Sequence, residues 1–141
     1  MLPQPRVLLV MDRQPETALV RELLQKHTAL TCAGSIPELR SLIRKAEYDS
    51  VFCPRSSSAG TWREVLGVVE DESPSLPVIV LSPQGNERDW LEALDAGAFD
   101  WLTLPIPPQA LLGVVEQAAA SRQARARWTL THPATVQIGS A

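Results

Sequence analysis

Few side chains in this 141-residue sequence stand where they could do chemistry. Asp12 follows the apolar run Val7-Leu-Leu-Val-Met11. It offers one oxygen ligand for a cation, or a cap for a helix opening near Pro15. Ser82 ends a second apolar run, Val78-Ile-Val-Leu81, where a hydroxyl serves as a strand-end hydrogen-bonding group. Ser56, Ser57 and Ser58 form a polar loop that a Ser/Thr kinase could modify, although a solvated loop is the simpler reading. Cys32 and Cys53 lie inside apolar runs with no CxxC or Cys/His spacing. Buried free thiols in a reducing compartment are therefore expected, not a zinc site or a disulfide. His27 falls at a helix end and His132 near the C-terminus, so no Ser/His/Asp set assembles. The segment Met11-Asp-Arg-Gln-Pro15 lacks the glycines that would cradle a phosphate.

Elements that would position these groups alternate along the chain. Short apolar runs over about residues 6–11, 29–33, 50–53, 77–81 and 99–103 read as strands, the first a continuous run expected of a strand covered on both faces. Between them lie amphipathic segments. Pro15 opens a helix to about residue 27. Ser35 caps the next, with Pro37 in its first turn and Glu38 completing a capping box. Thr61 caps a helix over about 62–72, and Asn86 begins one that ends at Gly97. The fifth helix is expected from Pro107 to about Arg127. Strands alternating with helices of this length imply βαβ units and a parallel sheet. Residues 1–127 then form one domain, and 128–141, with no helical period, a tail or linker.

Bulk properties narrow the function classes. A net charge of −3 argues against direct nucleic-acid binding. The local cluster Arg122, Arg125 and Arg127 reads as a solvated helix end. No run reaches membrane-spanning length and the N-terminus carries no signal-peptide core, so a soluble, cytoplasmic chain is expected.

The segment Ala93-Leu-Asp-Ala-Gly-Ala-Phe-Asp-Trp-Leu-Thr-Leu-Pro105 resembles the fourth-helix to fifth-strand signature of bacterial response-regulator receiver domains, which usually ends in Lys-Pro. Val7–Asp12, Tyr48–Pro54 and Pro77–Ser82 resemble that family's first, third and fourth strands, and the likeness covers about residues 5–121. It implies an α/β, flavodoxin-like, doubly wound sheet of five parallel strands in order 2-1-3-4-5, with helices on both faces. It also implies a site: two acids after strand one and an acceptor Asp at the end of strand three bind Mg²⁺, a Lys and a Ser or Thr hold the phosphoryl group, and an aromatic on strand five reports it.

Carried over position by position, the resemblance loses most of that site. The first acid is Met11, a soft thioether. The second is Asp12, the remaining candidate cation ligand. The acceptor position is Pro54, or Cys53 under a one-residue slip. The hydroxyl is Ser82, the Lys position is Leu104 followed by Pro105, and the aromatic is Trp101. Mg²⁺ binding, catalysis and other cofactors are not expected. The expectation is a degenerate receiver, a signal-transduction and transcription-control module of two-component or phosphorelay type. It would act without phosphorylation, through a protein partner, an output domain or a second copy. The docking face would be helix four, strand five and helix five, with Trp90 and Trp101 as candidate contacts. The alternatives are a working phosphorelay receiver with an unusual acceptor and a flavodoxin-like small-ligand-binding domain.

Overall fold

The computed structural model describes residues 4–11 and 15–131. Five strands and five helices alternate: β1 (Arg6–Val10), α1 (Pro15–His27), β2 (Ala29–Ala33), α2 (Ile36–Lys45), β3 (Ser50–Pro54), α3 (Trp62–Glu72), β4 (Val78–Ser82), α4 (Glu87–Asp95), β5 (Asp100–Thr103) and α5 (Pro108–Thr131). The strands form one parallel sheet in the expected order β2-β1-β3-β4-β5. β1 pairs with both β2 and β3, so the chain reverses its direction of growth between β1 and β3. Ligand crevices of open α/β sheets lie outside the carboxyl ends of the strands at such a point.

The apolar runs are explained by what covers them. Phe52, Ile79, Leu81, Val7 and Leu9 pack against α1 and α5, with Val20, Leu24, Leu111 and Val115. Leu8, Val10, Val51, Cys53, Val78 and Val80 face the opposite way, onto Leu39 and Ile43 of α2, Val65 and Val69 of α3, and Ala93 of α4. Successive residues of a strand point to opposite faces, and with both faces covered every position of β3 and β4 is buried. At the edges, β2 is half-exposed and β5 has only four residues, which limits the unpaired strand offered to other chains.

Local chemistry sets the helix ends. Ser35 Oγ accepts from Glu38 N–H at 3.2 Å, while the Glu38 carboxylate accepts from Gly34 N–H at 2.5 Å, one residue earlier than a reciprocal box would use. Thr61 and Glu64 form a complete capping box, and Asn86 Oδ1 accepts from Asp89 N–H at 2.9 Å. Gly97 adopts φ +112 after α4, the left-handed conformation that a glycine takes without steric cost.

Several boundaries differ from expectation: β4 ends at Ser82, β5 begins at Asp100 and α5 at Pro108, each one residue later, and three others shift as follows. β3 includes Pro54. β1 stops at Val10, leaving Met11 beyond the strand. α5 continues past Arg127 to Thr131, because nothing from Trp128 onward breaks a helix until Pro133, whose ring disfavours helical backbone in the residue before it. His132 and the rest of the C-terminal segment lie outside the described residues. Among the described residues no helix is long and apolar enough to cross a membrane.

Candidate functional site

The carboxyl ends of β1, β3, β4 and β5 bring together Met11, Pro54, Ser82 and Leu104. Asp12, the fifth residue expected there, lies outside the described residues. Met11 N–H donates to Ala33 O at 2.8 Å, which holds it at the mouth of β1, half-buried against the α1/α5 side of the core.

Pro54 fits its strand end because no bond is required of it. Val51 N–H donates to Pro77 O at 2.9 Å and Arg55 N–H to Leu81 O at 2.8 Å, so alternate residues of β3 donate toward β4. The N–H that proline lacks would therefore face β1, whose pairing with β3 has already ended at Leu9↔Phe52. Pro54 is buried, and it offers no nucleophile. Cys53, the alternative under a one-residue slip, points into the α2/α3 side of the core with 0% exposure. Desolvation there pushes its thiol up to about 12, which keeps it protonated and unreactive.

Ser82 is buried and already occupied: its hydroxyl donates to Gln84 O and accepts from Gln84 N–H at 3.2 Å, closing a local turn. Leu104 N–H donates to Ser82 O at 2.8 Å, and the Leu104–Pro105 peptide is cis. The Leu104 side chain turns to the α1/α5 face. There it lines an apolar groove of about 290 Å³ with Leu19, Leu23, Ile106, Pro108 and Leu111. A cation at this position would sit at the edge of a site; leucine extends the core instead.

Trp101 departs from one expectation. It is 6% exposed and meets Trp62 edge to face, with ring centroids 6.3 Å apart, so it is part of the core and not a surface contact. The loop before α4 closes over it: a methyl group built on Gly85 would stand 2.6 Å from Trp101 Nε1. Arg55 stacks on the ring at 6.0 Å. Trp90 is 40% exposed on α4 beside Leu91 at 50%, so of the two tryptophans only Trp90 is available to a partner.

The serine loop is structured by its own bonds. Ser57 Oγ donates to Gly60 O at 3.3 Å and accepts from Ala59 N–H at 3.1 Å. One group escaped the sequence reading. Glu72, at the end of α3, receives Arg44 at 2.8 Å and Arg40 at 2.7 Å, and Asp71 lies 3.4 Å from Arg40. Hydrogen bonds from Arg44 and then Arg40 pull the Glu72 carboxyl down to about 2. The i, i+4 arginines of α2 were visible in the sequence, but their partner was not until α2 and α3 were seen side by side.

Comparison with known proteins agrees with the fold. No protein-family model matches the chain. It is 26% identical over 123 residues to the response regulator protein PilR of Pseudomonas aeruginosa, covering 84% of this chain and 27% of PilR. It is 30% identical over 114 residues to an uncharacterised 14.6 kDa protein of Leptolyngbya boryana, covering 78% of this chain and 87% of that protein. The signal receiver domain of an HD-domain protein from Pseudomonas fluorescens superposes with a TM-score of 0.76 at 22% identity, over 90% of this chain and 95% of that one. The chain has the fold of a response-regulator receiver domain. The beryllofluoride-activated NtrC4 receiver domain, solved as a dimer, superposes with a TM-score of 0.72 at 20% identity, over 83% of this chain and 98% of that one. This receiver-type chain spans about a quarter of PilR, so PilR's activity as a whole is not carried over with the fold.

Proposed function

We propose that this chain is a receiver-type signalling module that works without phosphoryl transfer, by binding a protein partner. The observation that carries the reading is Pro54, the last residue of β3 at the point where the sheet reverses its growth. Phosphoryl transfer to a receiver requires a nucleophilic carboxylate at that place, and an imino-acid side chain supplies neither electron pair nor charge. The surrounding residues support the same reading. A thioether at Met11 is a poor ligand for a hard divalent cation, and Leu104 brings no positive charge to offset a phosphate. Asp12 by itself is one oxygen donor, so the donor set does not fit Mg²⁺.

An unusual acceptor finds little support. Cys53 is buried and protonated, and the Ser57 hydroxyl is committed to its own loop. A small-ligand site of flavodoxin type would need backbone donors from a glycine-bearing loop after β1, and that segment contains none.

What remains of a receiver is its surface. Trp90 and Leu91 place two large, exposed apolar side chains at consecutive positions of α4, the kind of anchor that interfaces concentrate. We assign this face to an output domain or a second copy, in regulation of the kind PilR, a response regulator, carries out, and in the cytoplasm. The direct test is incubation with acetyl phosphate and Mg²⁺ followed by intact-mass measurement. The expected result is no added phosphate, and stoichiometric addition would refute the reading.

A further inference from the structure

We infer that α4 is a charge-latched flap beside the Trp62–Trp101 pair, its thin apolar contact with the sheet supplemented by two ion pairs that hold it closed. Of the nine residues of α4 only Ala93 is buried, whereas α3 buries five, among them Trp62, Val65 and Leu66. One buried alanine and the half-buried Leu94 give α4 much less apolar adhesion than α3 has. Besides its packing on β5, it reaches α3 and the loop after β3 through Asp89 and Glu92, three residues apart on one helix face. Asp89 pairs with Arg55 at 3.8 Å, and Glu92 pairs with Arg63.

Both arginines also lie on the indoles beneath. Arg55 stands 6.0 Å from the Trp101 ring centre and Arg63 stands 4.5 Å from that of Trp62. These six residues enclose a small polar cavity of about 130 Å³. The Trp101 Nε1–H has no hydrogen-bond partner among the described residues, although a buried indole normally finds one. That donor lies beneath Gly85, in the loop that leads into α4, so the segment hinged to α4 covers an unpaired buried group.

Ion pairs as exposed as these are individually modest and screened by salt. The closed state is held by a small margin, and a competing charge can tip it. A partner that offers a carboxylate to Arg55 and Arg63, or a cation to Asp89 and Glu92, would release α4 by exchanging one set of pairs for another. The latch does not depend on whether the strand ends bind phosphate.

Residue-resolved amide hydrogen exchange on the full chain tests this, with β3 amides as the internal reference. Raising NaCl from 20 mM to 1 M should speed exchange across α4 about three- to tenfold relative to β3. The variant D89N/E92Q, which keeps both arginines on their rings and the Asn86 cap, should show that faster exchange already at 20 mM and gain nothing from salt. Exchange of α4 that is unchanged in the variant, or that stays salt-dependent there, overturns the latch. So does acceleration of α4 and β3 by one common factor, which would report global unfolding.

Discussion

At the scale of single residues, the proposed reading rests on side chains that each suit the fold and each lack the chemistry of phosphoryl transfer. Pro54 sits where a strand needs no N–H, Leu104 extends the α1/α5 core, and Ser82 closes its own turn. Because the losses are independent, restoring one does not restore the set. Pro54→Asp alone should take up no phosphate from acetyl phosphate, since Met11 and Leu104 still supply neither oxygen ligand nor cation; efficient labelling of that single variant would contradict this. Cys53 yields a second expectation. Its thiol is held near 12 by burial, so alkylation at pH 8 followed by mass spectrometry should leave Cys53 unmodified in the native chain and modify it in denaturant. Gly85 yields a third: an added methyl would stand 2.6 Å from the Trp101 indole nitrogen. Gly85→Ala should lower stability by about 1–3 kcal/mol in urea denaturation, the usual cost of overpacking beside a ring that cannot move aside.

Among elements, the α2–α3 pair carries the clearest electrostatic signature. Arg44 and Arg40 hold Glu72 as a carboxylate down to about pH 2 in the folded chain, below its ordinary 4.5. A depressed carboxyl stabilises the fold while it is ionised. The contribution is therefore full above about pH 4.5 and is lost as the pH falls from there toward 2. Glu72→Gln should flatten the stability-versus-pH curve across that window and leave other slopes intact, as urea melts at stepped pH would reveal. Caps were the most legible part of the sequence. Ser35, Thr61, Asn86 and Gly97 act through bonds spanning three or four residues, so local spacing was enough to place them. The Glu72 clamp was not legible, because it joins residues about thirty apart whose helices become neighbours only once the sheet order is set. The inward turn of Trp101 was hidden for the same reason: its partner Trp62 belongs to α3, separated from β5 in the sequence by β4 and α4.

Across the whole molecule, a three-layer sandwich with both sheet faces covered explains why the central strands β3 and β4 are buried along their whole length, and the sheet order is the one anticipated from resemblance. Phe52, central in β3 and 0% exposed, joins the sheet to α1 and α5, and Phe52→Ala should cost about 3–5 kcal/mol of unfolding free energy. The strand ends could be read from sequence only as a list of residue types. Their geometry adds that Leu104 turns away toward α1 and that Cys53 faces the opposite core, so neither stands in for the missing groups. The proposed reading is therefore a receiver fold without strand-end phosphoryl chemistry, with Trp90 and Leu91 exposed on the α4 surface. The most direct test of that claim is a two-dimensional amide NMR titration with Mg²⁺ and then beryllofluoride at millimolar concentration. Lack of binding predicts no saturable shift at any strand-end residue. Saturable shifts at Asp12, Ser82 and Trp101 would show that the site still recognises phosphoryl geometry, and would contradict it.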